Sequence, residues 1–212
     1  MELKERILEA VMEEFNEKGI KFTMDDVARR LGISKRTLYS VIREKETLFI
    51  EAVDYVFAGI KQAEQEILED ASLDTMEKIK RTLIAMPQKY QSIDFGKMSE
   101  AKEKYPQIYK KIEVRLETGW EGVCQLLEQA MAEGCIRPIS IPVFQAMFTG
   151  TIEYYLSRRV LADSQIGYEE ALEQMLDILI YGVSREGSQR QNLDICEQDN
   201  TNKNSTKKEG IQ

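Results

Sequence analysis

An all-α fold of about nine helices is what this sequence predicts, and three features predict it. Apolar residues recur at three- and four-residue spacing through most of its 212 residues, which is the helical period. Only four prolines are present, and no stretch alternates apolar and polar residues for long, as a half-buried strand would. Glycines and hydroxyl or acidic residues fall between the apolar runs in the order that stops one helix and starts the next.

The first helix is expected over 3–18, with Leu3, Ile7, Val11 and Phe15 on one side and Gly19 in the C-terminal cap position. Thr23, followed by acids in the first turn, starts a second helix whose buried side is Val27, Ala28 and Leu31. Gly32 closes it. Ile33 then precedes Ser34, the N-cap of a third helix over 35–41 with Leu38 facing inward. Glu44-Lys45-Glu46 opens a long helix, carried by Leu48, Phe49, Ala52, Val53, Val56, Phe57 and Ile60 to about Leu68. After a break at 70–74, a helix is expected over 75–90, with Met76, Ile79, Leu83 and Met86 on one side and Pro87 to kink or end it. A short helix near 95–104 follows. Pro106 opens a long helix over 106–133, striped by Ile108, Ile112, Leu116, Trp120, Val123, Leu127 and Met131, and Gly134 ends it. Residues 135–142 read as a loop, and two last helices as 143–161 and 168–185. From Gly187 on, polar residues dominate, and such a tail buries too little apolar area to offset the entropy of ordering it. The domain expectation is therefore a head over 1–46, a larger helical body over 47–186 and a disordered tail over 187–212.

Composition excludes several classes. There is no histidine, which removes His–Zn sites and every His-based triad. No Gly-rich phosphate loop or activated-nucleophile pattern is present, so no enzyme activity, cofactor or metal is expected. No apolar run approaches the ~20 residues of a membrane span, and no apolar signal core follows the charged N-terminus. Cys124, Cys135 and Cys196 are an odd number, far apart, and read as free thiols of a cytoplasmic protein.

The formal net charge of −8 argues at first against nucleic acid, but its distribution argues back. Residues 1–50 hold ten Lys/Arg and ten Asp/Glu, while the other 162 hold 19 against 27. Within 27–45 lie six cations, Arg29, Arg30, Lys35, Arg36, Arg43 and Lys45, against one acid, Glu44. Phosphate contact needs a local positive patch rather than a basic protein. Residues 23–48 also carry the punctuation of a helix-turn-helix, whose second helix would present its N-terminal turn to double-stranded DNA. Lys35 and Arg36 sit in that turn, beside a helix N-terminus that attracts anions. Arg36 has the fork that reads guanine in the major groove. The competing reading makes both of them solvated surface cations. Ser34 caps the helix, and its hydroxyl is also placed to reach a phosphate. Thr37 is a candidate for a thymine methyl or a phosphate.

Thr23, Val27-Ala28, Leu31-Gly32-Ile33-Ser34, Thr37-Leu38-Tyr39 and Lys45-Glu46 with Leu48 together resemble the TetR family of one-component transcriptional regulators. About 45 residues carry that resemblance directly. Ile42 stands where the family usually has an aromatic, and Arg36 where it often has a small residue. The resemblance implies phosphate contacts from the Tyr39 hydroxyl, with its ring packed behind it, from Lys45, and secondarily from the capping Thr23. Repression of an operator is the family default.

The helices expected over 143–161 and 168–185 are apolar more than half-way round, wider than a single core stripe. Either both are wholly buried within one chain or they pair with symmetry mates. The second reading is favoured and the resemblance implies it: a homodimer joined as a four-helix bundle through Phe144, Met147, Tyr155, Leu172, Met175, Leu176, Leu179 and Val183. Gly150 would allow close approach. A two-fold dimer sets two recognition helices on successive major grooves of a near-palindromic site. The resemblance further implies an effector pocket among the middle helices. Its candidate lining is Phe57, Met86, Tyr90, Phe95, Met98, Tyr105, Tyr109, Trp120, Cys124, Phe148 and Tyr154, which suits an apolar or aromatic small molecule. Glu117, Glu121 and Glu153 would favour a cation only if one faced inward. The expected function is thus a ligand-released, DNA-binding repressor. The alternative is a co-regulator or adaptor on the same fold whose partner is another protein.

Overall fold

The computed structural model describes residues 2–91, 93–158 and 160–183, and the expected tail at 187–212 lies outside them. Helix α1 (Leu3–Lys18) buries Ile7, Leu8, Val11, Met12 and Phe15. A single 3-10 turn, Gly19–Lys21, then drops Ile20 and Phe22 into the core. Helix α2 (Met24–Leu31) starts from a reciprocal cap. The Asp26 backbone N–H donates to Thr23 Oγ1 at 3.1 Å, and the Thr23 backbone N–H donates back to the Asp26 carboxylate at 2.8 Å. It stops at Gly32, whose φ of +65° lies in the left-handed region that a side chain would strain. Helix α3 (Lys35–Val41) follows, with Leu38 fully buried beneath it.

Helix α4 (Lys45–Glu69) is 25 residues, about 37 Å long at the helical rise. Its first half carries Leu48, Phe49, Ala52, Val53 and Val56 against α1, so the same helix belongs to the head and to everything behind it. Phe49 is the pivot: its ring lies 5.3 Å from Phe15 and 5.5 Å, edge-on, from Phe22.

Behind the head the helix expected over 75–90 is shorter. Helix α5 (Thr75–Leu83) ends four residues before Pro87, and a 3-10 turn, Gln88–Tyr90, follows. A proline ring clashes with the carbonyl four residues earlier and biases its predecessor away from helix, so unwinding sets in ahead of it. The weakly patterned 95–104 segment is a 3-10 stretch, Phe95–Glu100, leading into one turn, α6 (Ala101–Lys104). The single helix expected over 106–133 is two, α7 (Pro106–Glu117) and α8 (Glu121–Glu133). Gly119 takes φ +78° between them. The Trp120 indole N–H donates to the Leu116 carbonyl at 2.9 Å and Lys61 Nζ to the Gly119 carbonyl at 2.8 Å, so the bend is tied on both sides. The apolar stripe keeps its three-to-four spacing through the break, which hid it from the sequence pattern. The expected 143–161 helix is likewise α9 (Ile141–Ser157) followed by the short α10 (Val160–Ser164). Helix α11 (Tyr168–Val183) is last. The nine expected helices are all present, two of them in two pieces, and no strand occurs among the described residues.

One apolar core runs without interruption from Ile7 and Phe15 through Phe49 to Ile112, Phe148, Ile152, Leu172 and Met175. A second cluster, around Ile79, Leu127, Ile136, Phe144 and Ile180, seals the far end. Among the described residues no helix is long and apolar enough to cross a membrane.

This packing corrects the expected pairing face of the last two helices. Phe144, Leu172, Met175, Leu176 and Val183 point into the chain's own core, each less than a tenth exposed. Tyr155 and Leu179 are half-buried against it. Of the expected set only Met147 is exposed, at 54%. The outward apolar residues of α9 and α11 are Val143, Met147, Tyr154, Ile178 and Tyr181. The periodicity showed how wide the apolar band was, but not which edge the rest of the chain would cover.

Candidate nucleic-acid interface

The turn between α2 and α3 is built from local bonds. Ser34 Oγ accepts the Thr37 backbone N–H at 3.1 Å and shares a hydrogen bond with Thr37 Oγ1 at 2.8 Å. Ser40 Oγ donates to the Thr37 carbonyl at 2.7 Å. A seven-residue helix gains little from its own hydrogen bonds. It is held instead by this cap and by buried Leu38 and Ile42, which places a stiff two-turn rod on the surface.

From that rod Ser34, Lys35, Arg36 and Tyr39 stand exposed, with Thr37 half-buried. Tyr39 is 43% exposed, so its ring is part covered and part open to solvent. Lys35 forms an ion pair with Asp25 at the start of α2. Arg29 is 77% exposed and lies 3.5 Å from Asp26. Arg43, in the link to α4, is exposed as well.

Two of the six cations are committed elsewhere. Arg30 bonds the carboxylates of Glu13, Glu14 and Glu17, stitching α2 to α1. Lys45 turns inward, donating to the Ile20 carbonyl at 2.5 Å with its ammonium 4.3 Å from the Phe22 ring centre. Burial pushes that ammonium's pKa down, nearby Lys104 adds to this, and Asp26 opposes it. Lys35 thus sits beside the start of α2, which Thr23 caps, and Ser34, Lys35, Arg36, Thr37 and Tyr39 share the short α3, whereas Lys45 is turned to the Ile20 carbonyl. In sequence nothing separates an inward lysine from an outward one.

The ion pairs behind the rod have a pH signature. Asp26 is held well below the usual carboxylate range by Lys18 at 2.8 Å and by Thr23. For Glu14, burial raises the pKa, but bonds to Lys18 and Arg30 outweigh it and the net shift is down. A depressed folded pKa contributes stability above the unfolded value, about 4 for carboxylates, and that stability is lost as the pH falls through the folded value. Urea midpoints should accordingly hold between pH 7 and 5 and fall steeply below about pH 4. Asp26→Asn should start lower and show a shallower acid decline; an unchanged decline would show that the Lys18–Asp26 pair contributes nothing.

Behind the head a cavity of about 160 Å³ opens between α1, α4, α5, α7, α9 and α11. Of the residues expected to line it, Phe57, Met86, Phe95, Met98, Trp120 and Phe148 do. Tyr90, Tyr105, Tyr109, Cys124 and Tyr154 do not: Tyr90 and Tyr109 are packed into the body, and Tyr154 is 53% exposed. Met12, Phe15, Phe49, Val53, Thr82, Ile112, Tyr168 and Leu172 also line it, and nothing in the sequence pattern marks them as cavity wall. Phe49 and Val53 belong to the first half of α4, and Met12 and Phe15 to α1, so the cavity wall includes the head's own core. Trp120 meets Phe148 edge-on at 5.5 Å. Glu117 and Glu121 are exposed and Glu153 half-buried, and none of the three reaches the cavity.

Residues 7–52 match the family described as bacterial regulatory proteins, tetR family. Over 182 residues the chain is 31% identical to the uncharacterized HTH-type transcriptional regulator YvaF of Bacillus subtilis (strain 168), covering 86% of this chain and 96% of that protein. Among solved structures, a TetR transcription regulator from Haloarcula marismortui shares the fold with a TM-score of 0.65 at 14% identity, over 86% of this chain and 98% of that one. The transcriptional regulator FadR from Bacillus subtilis, in complex with stearoyl-CoA, shares it with a TM-score of 0.53 at 20% identity, over 84% and 98%. With the helix-turn-helix geometry and a relative matched along nearly its whole length, the chain belongs to the TetR family of DNA-binding transcriptional regulators, which are not enzymes.

Proposed function

We propose that this regulator is a repressor that binds a near-palindromic operator as a homodimer and is released by a small apolar or aromatic effector. The observation that carries the reading is the rigid, capped α3, whose exposed side is Ser34, Lys35, Arg36 and Tyr39. In this reading the head over 1–46 docks α3 in the major groove. Arg36 reads a base edge or a phosphate, while Thr23, Ser34, Lys35, Thr37 and Tyr39 contact the backbone. Lys45 positions the start of α4 through the Ile20 carbonyl instead of touching phosphate. The body over 47–186 supplies the cavity and the pairing face.

The pairing face is the outward stripe Val143, Met147 and Tyr154 on α9 with Ile178 on α11. Gly150 lies on the same side of α9, and a Cβ built there meets no atom within 4 Å, so a symmetry mate can approach closely. Exposed apolar residues on two helices that share one core are the usual mark of an interface.

Effector action follows from the shared wall. Filling the cavity beside Phe49 and Val53 of α4 and Phe15 of α1 displaces the helix that joins body to head. In a dimer this changes the spacing of the two α3 rods and favours a state that no longer fits the groove. FadR, crystallised with stearoyl-CoA, supports a partly apolar ligand on this fold.

Gel-shift titrations over a salt series test the interface. Tyr39→Phe should weaken binding, and Arg36→Ala more so. The magnitude of the salt slope should fall by about one for every phosphate that is no longer neutralised. Lys45→Ala should lower the melting temperature and leave the slope nearly unchanged. Wild-type affinity and slope in both Tyr39→Phe and Arg36→Ala would remove α3 from the interface.

A further inference from the structure

Among the described residues, one hydroxyl of the cavity wall is both fully buried and unbonded. Thr82, on α5, is 3% exposed, and its hydroxyl is buried with no hydrogen-bond partner among the described residues. Helical threonines commonly satisfy this group on a carbonyl of the preceding turn, and leaving it unmade in an apolar site carries the full desolvation cost. Native chains keep few such groups, and each asks for a reason. Here the residue lines the cavity, at the place where the cavity meets a polar surface groove between α4, α5 and α8.

The charged groups of the wall point the other way. Lys61 Nζ is 2.5 Å from the Glu64 carboxylate and 2.8 Å from the Gly119 carbonyl. Arg115 is 2.7 Å from Asp54. Lys61 already has its counter-charge, and the part-exposed Arg115 shares Asp54 with Lys111, so an anionic ligand would enter an apolar site with at most one half-neutralised cation to answer it, which is costly. The volume, about 160 Å³, matches a single substituted ring, since a dry apolar cavity of about 150 Å³ takes one benzene.

We infer that the cavity binds a neutral molecule of one-ring size carrying a single hydrogen-bonding group, whose polar atom is held by the Thr82 hydroxyl and whose apolar body lies against Trp120 and Phe148. The inference rests on the effector reading above and narrows it to neutral, compact ligands, away from fatty acids and their thioesters.

The chain has one tryptophan, Trp120, in the cavity wall, so intrinsic fluorescence reports occupancy directly. Three probes of one shape separate the terms: acetophenone has ring and carbonyl, ethylbenzene lacks the oxygen, and benzoate carries a charge. Acetophenone and ethylbenzene should shift Trp120 emission, and benzoate should not. In Thr82→Val the ratio of acetophenone to ethylbenzene affinity should fall by about five- to tenfold. The same variant, without ligand, should melt no lower than wild type, because it deletes an unsatisfied hydroxyl at nearly constant shape. An unchanged ratio in Thr82→Val, benzoate or decanoate binding more tightly than acetophenone, or no response to either neutral probe would overturn the inference. The regulatory reading is scored separately by displacement of a bound DNA duplex. Decanoate that binds and releases DNA would sink this ligand class and leave an effector site. Acetophenone that binds through Thr82 without releasing DNA would uphold the ligand class and sink the effector role.

Discussion

Replacing Met147 and Ile178 together by glutamate is expected to yield a folded monomer that has lost about 10²- to 10⁴-fold in operator affinity. Both side chains project from the body, at 54% and 74% exposure, so the substitutions cost a single chain little. In a two-fold interface the same patch lies on both sides, so the acids of both copies are brought together, and like charges there oppose association. The loss on DNA is larger than any single contact explains, because a dimer's second head binds as an intramolecular event. With Arg30 and Lys45, two of the six cations of 27–45, committed to partners within each head, one head alone has little electrostatic affinity to spend. Light scattering checks the mass, circular dichroism the fold and a gel shift the affinity. A double variant that stays dimeric would move the interface to another face. The residues first expected there give the contrast: Leu172→Glu or Met175→Glu should unfold the chain, since both are buried in its own core.

Phe49→Ala is expected to be the most damaging single truncation, at about 3–5 kcal/mol. Its ring joins Phe15 of α1 to Phe22 beside the 3-10 turn and is 1% exposed. Against a typical total of about 5–15 kcal/mol, this removes much of the stability. Thermal melting should fall by on the order of 10 °C for a chain of this size. Phe49 also lines the cavity, so the variant enlarges the site on the head's side. Added acetophenone should then recover part of the lost melting temperature through binding to the folded state. A loss below about 1 kcal/mol would mean that the head's core relaxes around the deletion, and would weaken the idea that α4 couples cavity to head rigidly.

The sequence was most legible where local chemistry decides structure. Thr23, Gly32 and Ser34 act through bonds to residues a few positions away, and each cap stands where the pattern put it. The resemblance built on those residues holds for the family as a whole. Legibility fell where distant elements decide. The break at Gly119 depends on Lys61, 58 residues earlier, and the Leu116–Trp120–Val123 spacing runs straight through it. The outward face of α9 and α11 depends on which side α5, α7 and α8 cover, which periodicity does not record. Lys45 and Arg30 look like surface cations until Ile20 and the acids of α1 are folded beside them. The cavity was half legible for the same reason. Aromatic and methionine content marked Phe57, Met86, Phe95, Met98, Trp120 and Phe148, but the wall from α1 and α4 reads as ordinary core, and Thr82 matters only because nothing bonds it.

In the proposed complex two α3 rods, fixed by a dimer of the body, read a two-fold symmetric site. Repeated selection of the purified protein on random duplex DNA tests it most directly. An enriched near-palindrome is expected, with half-sites centred about 10 base pairs or a small multiple apart, and its enrichment should disappear with Arg36→Ala or with the Met147→Glu, Ile178→Glu pair. No enriched sequence, or an asymmetric single site bound equally well by the double-glutamate monomer, would contradict it and favour a protein partner in place of an operator.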